Sequence, residues 1–403
     1  MKYQDEYNRL KELENFTDDQ IKIGDNLVMK NYVFESASRF LLPGGEFNDD
    51  YEYQPIYSEG YEPDIIQQIL NKQDAEIEEN IRFVYHIIMP ENQSRAKEII
   101  FFFHGFNEKT WTKYLPWAKY IAAHTGKSVV LFPIAFHMNR APLIWSDKRE
   151  MHKVSLQRQE RHPNVMCSSL SNVASSIRLH NKPQRFIWSG LQTYYDVIQL
   201  VETVKKELHP AIEPDASIDF FSYSIGSFLG EILMMSNKDG YFSDSKYVTI
   251  CGGAVFNRIT PVSKFILDSE TDVCLFSFLV EHLDSHMKHI KALGDYLGEA
   301  HPEGYNFRSM LNYRMMTDYR ENKFKQMSHR IYAIGLVKDR VIPPYEIMNT
   351  LQGRERNIPV QVDVLDFPYN YSHENPFPLL TGISEAVDEH FKLTFDSICN
   401  FLR

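Results

Sequence analysis

The chain has 403 residues, 43% of them hydrophobic and 24% charged, with a formal net charge of -11. That length supports one large α/β domain with insertions or two domains. The acidic balance, with a pI near 5.8 and no long Lys/Arg run, excludes a nucleic-acid surface. The polar start and the lack of any stretch of about 18 apolar residues exclude a leader and a membrane span, so the expected location is cytoplasmic. Cys167, Cys251, Cys274 and Cys399 are widely spaced with no CxxC pair. They read as buried thiols, and no metal or other cofactor is expected.

Residues 1–80 mix charged helix-like pieces with polar, aromatic stretches such as the one that begins at Phe47, and are read as an N-terminal extension without a motif. The main domain is expected over 81–403. In residues 82–88 Phe83, Tyr85 and Ile87 alternate with Arg82, Val84 and His86, which suits a strand near a sheet edge. Residues 98–103 are apolar on both faces, the pattern of a central parallel strand. A helix-like run with Trp111, Tyr114 and Trp117 follows, then a second buried strand from Ser128. Strand, helix and strand in this order imply a parallel sheet.

Residues 135–187 are polar and rich in Arg, His, Ser and Asn, too long for a simple connection, and are read as a first insertion. A helix over 191–208 leads to the serine turn described below. A buried strand at 247–251 comes next. Residues 256–328, helical in pattern and rich in Phe, Tyr, Met and His, are read as a second insertion that forms a cap. The sheet resumes at 330–335 and ends at 360–365. A final amphipathic helix presents Val387, Phe391, Phe395, Ile398 and Leu402 on one face.

The stretch 217–235 reads as a short buried strand, a tight turn with Ser224 at its apex, and a helix whose apolar face holds Ile225, Phe228, Leu229, Ile232 and Leu233. So abrupt a turn brings strand and helix backbones together, and the positions two before and two after the apex must be small. They are Ser222 and Gly226. The apex lies at a helix N-terminus, where free N–H groups favour negative charge on a reacting oxygen.

The carboxyl ends of parallel strands converge on one rim of a doubly wound sheet. Taken in order, the strand ends here carry His104-Gly105-Phe106, then Ser224, then Asp339, then His373. By these motifs, and by element order over residues 80–403, the chain resembles the α/β-hydrolase superfamily of serine esterases, lipases and peptidases. The resemblance implies a mostly parallel, doubly wound sheet with helical cap insertions. It implies Ser224 as nucleophile, His373 as general base, Asp339 as orienting acid, and an oxyanion hole from the backbone N–H groups of Phe106 and Ile225. Ser222 and Ser227 stand where the family's elbow often has glycine. His104 receives a loop-supporting role, and Asp268 and Asp272 are the alternative positions for the acid.

The activity so implied is hydrolysis of a carboxylic ester or thioester through an acyl-serine, with a small acyl ester as substrate. Peptidase or amidase chemistry with the same triad, or a non-catalytic binding module, are the alternatives. His137, Arg140 and Tyr223 are the candidates for substrate contacts, the first two as anchors for a carboxylate or phosphate. His282, His286 and His289 share one helical face at a spacing that can bind a metal. They lack an HExxH arrangement and lie away from the strand ends, so they are read as a solvated or packed face.

Overall fold

Among the described residues nine strands form one sheet in the order β1-β2-β3-β5-β4-β6-β7-β8-β9. They are β1 (Gln20–Gly24), β2 (Leu27–Glu35), β3 (Arg82–Pro90), β4 (Ala96–Phe103), β5 (Ser128–Leu131), β6 (Ile212–Tyr223), β7 (Tyr247–Ile250), β8 (Ile331–Leu336) and β9 (Gln361–Leu365). Strands β1, β2 and β3 pair antiparallel, and β3 joins β5 antiparallel. From β5 across to β9 every pairing is parallel. The computed structural model describes residues 2–46 and 72–403, so the aromatic stretch from Phe47 lies outside the described residues.

Two expectations are corrected at the N-terminal side. Residues 1–80 are not simply an extension, because β1 and β2 lie within them and form one edge of the sheet. The hairpin between these strands turns on Asp25 and Asn26, both left-handed with φ of 55° and 57°. That conformation matches the twist of paired strands, and Asp and Asn adopt it more readily than most residues. Consequently β3 is not near an edge: β2 covers it in full register from Leu27↔Pro90 to Glu35↔Arg82. His86, on its polar side, is buried against Trp111 and bonded through Nδ1 to Asn31 Oδ1 at 2.6 Å.

The strands between β3 and β8 are buried on both faces, and two apolar layers cover them. One layer contains α1 (Tyr3–Lys11), α2 (Leu115–Thr125) and α3 (Ser384–Leu402), whose residues Val387, Phe391, Phe395, Ile398 and Leu402 are all buried. The other contains α4 (Arg185–Lys205), α5 (Gly226–Ser236) and α6 (Pro344–Leu351). Helices on both faces of a mostly parallel sheet, with a strand-to-helix serine turn after β6, make this an α/β-hydrolase fold.

Residues 135–187 contain two helices, Lys148–Arg161 and Val173–Asn181, and between β7 and β8 lie five more, from Ser269–Phe276 to Thr317–Met327, with a π-helical turn after the first. Among the described residues no helix is long and apolar enough to cross a membrane.

Candidate active site

The parallel strands β4, β6, β8 and β9 deliver their C-terminal loops to one rim. Ser224 stands between β6 and α5 with φ of 56°, a left-handed conformation that costs a non-glycine residue about 1–3 kcal/mol. Parallel pairing of β6 to β7 and the start of α5 hold it there: Ser224 N–H donates to Ile250 O at 3.3 Å, and Ser227 N–H donates to Ser224 O at 2.9 Å. The small neighbours are a steric requirement. A Cβ on Gly226 would lie 2.6 Å from Phe103 O and 2.7 Å from His104 O, and backbone on that side cannot yield. Ser222 is buried and its Oγ lies 2.9 Å from Tyr247 OH, while Ser227 Oγ donates to Ser224 O and accepts from Gly253 N–H. The two serines found in place of glycines thus brace the turn.

Ser224 Oγ lies 2.7 Å from His373 Nε2, and His373 Nδ1 lies 2.7 Å from Asp339 Oδ2. Asp339 Oδ1 accepts the N–H groups of Val341 and Ile342 at 2.8 and 2.9 Å, which fixes the carboxylate plane. The Asp339 carboxylate takes Nδ1–H, so Nε2 is left as an acceptor for the serine hydroxyl. All three side chains are at most 5% exposed. Cys251, at the end of β7, places its sulfur within 4.8 Å of ligand atoms of both Asp339 and His373. Burial, and then the nearby Asp339 carboxylate, push its thiol well above the usual range, so it stays protonated as a further donor toward the acid.

The loop after β4 is fixed by His104. Its Nε2 accepts Ile134 N–H at 2.9 Å, which leaves Nδ1–H to donate to Gly105 O at 2.7 Å. Burial lowers this imidazole to about 4, so it remains in that neutral tautomer. Within one peptide plane C=O and N–H point in opposite directions, so pinning Gly105 O also aims Phe106 N–H. Gly105 N–H in turn donates to Tyr114 OH at 3.0 Å. Among the described residues neither Phe106 N–H nor Ile225 N–H has an acceptor. Phe106 and Ile225 both line a cavity of about 70 Å³ whose walls include Ile134, Trp145, Phe228 and Phe307.

The three expected substrate contacts divide. His137 lines this cavity, with Nδ1 on Ala135 O at 2.8 Å and its buried Nε2 unpartnered. Arg140 does not reach it: fully buried, it pairs with Asp196 Oδ2 at 2.7 Å and also holds Asn80 and Pro133 O. Tyr223 points to the opposite face of the sheet, because side chains alternate along β6. Its hydroxyl donates to His373 O and its ring stacks on that imidazole at 5.6 Å, so it supports the histidine loop.

Neither alternative acid reaches His373. Asp268 caps the helix Ser269–Phe276 and holds Arg158 at 2.5 and 2.9 Å, and Asp272 lies in the first turn of that helix. The three cap histidines do not share one continuous helix, since a π-helical turn at Ser277–Glu281 leaves His282 ahead of Leu283–His289, and His286 stacks on Phe278. The cavity residues missed from sequence include Arg178 and Thr193. Arg178 lies in a polar stretch and Thr193 on the buried face of α4, and neither setting carries a local sign of a cavity.

Among solved structures, the chain is similar to carboxyl esterase 2 of Tuber melanosporum, at 11% identity, with 79% of this chain and 81% of that one covered and a TM-score of 0.43. It is also similar to a hyperthermophilic esterase of Pyrobaculum calidifontis, at 10% identity, 98% and 90% coverage and a TM-score of 0.43. A third is the Pyrococcus horikoshii acylaminoacyl peptidase, at 12% identity and a TM-score of 0.39, where 79% of this chain covers 39% of that one. No curated protein matches the sequence. Over residues 1–403 the chain matches the model of a family of unknown function, DUF6051, and it belongs to that family.

Proposed function

We propose that the protein is a serine hydrolase that cleaves a carboxylic ester or thioester through an acyl-enzyme on Ser224. The observation that carries this reading is the chain of two 2.7 Å hydrogen bonds from Ser224 Oγ through His373 to Asp339. A serine hydroxyl is a weak nucleophile until an imidazole takes its proton. Here Oγ attacks the carbonyl carbon while its proton passes to Nε2, and the adjacent Asp339 stabilises the imidazolium. The unaccepted N–H groups of Ile225 and Phe106 stabilise the developing oxyanion, and donors of this kind are each worth about 3 kcal/mol. His373 then protonates the leaving group and activates the water that releases the acid. Tyr223 and His104 are positioning residues, the first for the histidine and the second for the oxyanion loop.

A fluorophosphonate probe tests the reading. One label should attach to the folded protein and vanish in Ser224→Ala. A folded wild type that takes no label and cleaves no p-nitrophenyl ester would leave a binding module in place of an enzyme.

A further inference from the structure

Gly190 stands well inside α4, where glycine destabilises a helix relative to alanine. Its neighbour gives the reason: a Cβ at this position would lie 2.4 Å from Cε2 of Phe307. The Phe307 ring is 2% exposed and meets Phe228 and Phe186 edge-on, with ring centroids 5.1 and 6.0 Å away. The helix that carries it, Pro302–Ser309, is tied to α4, to α5 and to the helix Thr317–Met327. Tyr195 OH of α4 donates to Glu303 Oε1, Asn306 Nδ2 donates to Ser236 Oγ of α5 at 2.9 Å, and Arg320 Nη1 donates to Ser309 O at 2.6 Å. The ring cannot withdraw without breaking these contacts.

Gly190, Phe186, Phe228 and Phe307 all line the cavity that also reaches Phe106 and Ile225, whose N–H groups were assigned above to the oxyanion. The leaving oxygen of an ester must stay near His373, and among the described residues neither His373 nor its loop lines the cavity. The acyl half is therefore the one that enters. The open surface it meets is almost wholly apolar. Arg178 lies on the ring of Phe136 and turns Nη2 to Asp74 and Ser189, and His137 holds Ala135 O through Nδ1. A charge on the acyl chain would lose its water there without gaining a partner. The wall follows α5 from Ile225 to Ile232, a rise of about 10 Å. Its volume has room for about five or six waters, and a methylene takes about the space of a water.

Resting on the serine-hydrolase reading, we infer that Phe307, set against Gly190, is the stop that limits the acyl chain, so that the enzyme takes esters or thioesters of uncharged straight-chain acids of up to about six carbons. Gly190 is part of the device because only a residue without Cβ lets the ring lie this close to α4. The stop comes from the segment between β7 and β8, while the nucleophile and the oxyanion donors come from the sheet. Chain length can thus change at Phe307 without any change at the reacting atoms.

The test compares p-nitrophenyl acetate, butanoate, hexanoate, octanoate and decanoate. In the wild type kcat/KM should rise to about hexanoate and then fall. Phe307→Ala should raise the ratio of octanoate to acetate about 10- to 20-fold, since each methylene given room is worth about fourfold. Phe307→Leu should move the ratio the same way by less, and it decides if the alanine variant does not fold. Gly190→Ala should lower the ratio of hexanoate to acetate, because its methyl takes space from the same wall. Binding of 2-hexanone, 2-octanone and 2-decanone to Ser224→Ala by calorimetry separates the two proposals. A length limit there that is lifted once Phe307→Ala is added supports the stop even if no ester is turned over. Esters cleaved with an octanoate-to-acetate ratio unmoved by both Phe307 variants would overturn the stop and leave the serine hydrolase standing. No saturable heat from any ketone, together with no ester turnover, would overturn both.

Discussion

The rim of the sheet and the cavity beside it are specified in different ways. At the rim, Ser224, Asp339 and His373 come from three loops, and each stands within eight residues of the end of its strand, so strand register alone brings them near one another. The cavity is assembled from the loops after β4 and β5, the helix Val173–Asn181, α4, α5 and Phe307 of the segment between β7 and β8, and no single segment defines its shape. On the proposed reading the rim sets the reaction and the cavity sets which substrate enters. Substitutions at the two places should separate accordingly.

The largest effect belongs to the rim. Ser224→Ala should lower kcat for any cleaved ester by about 10⁶-fold, the scale on which a nucleophile is lost from such a triad, while the melting temperature stays near or above that of the wild type, because the substitution removes no packed apolar group. Asp339→Asn should follow with about a 10⁴-fold loss in kcat, since the amide oxygen would stay on the N–H groups of Val341 and Ile342 and its NH2 would donate to Nδ1, favouring the wrong tautomer. Asp339→Asn with full activity would return the search for the acid to another carboxylate.

The same contrast explains what could be read from sequence. The strands β4, β6, β7 and β8 are apolar on both faces, and the turn at Ser224 has steric rules that leave a trace in Ser222 and Gly226. The order Ser, Asp, His at strand ends follows from those two signals. What escaped notice depends on distant partners. In the hairpin of β1 and β2 the first strand alternates only at Ile21 and Ile23, and its turn at Asp25 and Asn26 has no glycine at either central position. Arg140 and Arg178 are alike in sequence, each within a polar stretch, and only the positions of Asp196 and Asp74 decide that one is locked away while the other faces the cavity.

Acid should loosen the molecule through two buried histidines. Burial lowers His86 to about 3 and His104 to about 4. Both values lie below the 6.5 of an exposed imidazole, so these groups favour folding fully above about pH 6.5 and progressively less as pH falls toward 4. The loss for His104 alone is on the order of 3 kcal/mol across that window. Chemical denaturation at pH 7 and at pH 4.5 should show it, and His104→Asn, which keeps a polar side chain without the titration, should flatten the slope. Gly226→Ala comes next: a Cβ 2.6 Å from Phe103 O should cost about 1–3 kcal/mol of stability and reduce the rate of fluorophosphonate labelling, because the turn must open to admit it.

The smallest effect lies in the cavity and is the most informative about it. Leu229 sits on α5, one turn beyond Ile225, and its side chain forms part of the cavity wall. Leu229→Ala removes three carbons from a face already open on one side, so the stability cost should fall at the low end of the roughly 2–5 kcal/mol typical of buried leucines. The enlarged space should admit a longer acyl chain. Each additional methylene that finds room contributes about 0.8 kcal/mol, close to a fourfold change in kcat/KM. For neutral p-nitrophenyl esters the optimum should therefore move by one or two carbons toward longer chains, with fluorophosphonate labelling unchanged. If the profile stays where it is while Ser224 remains reactive, the acyl chain runs elsewhere.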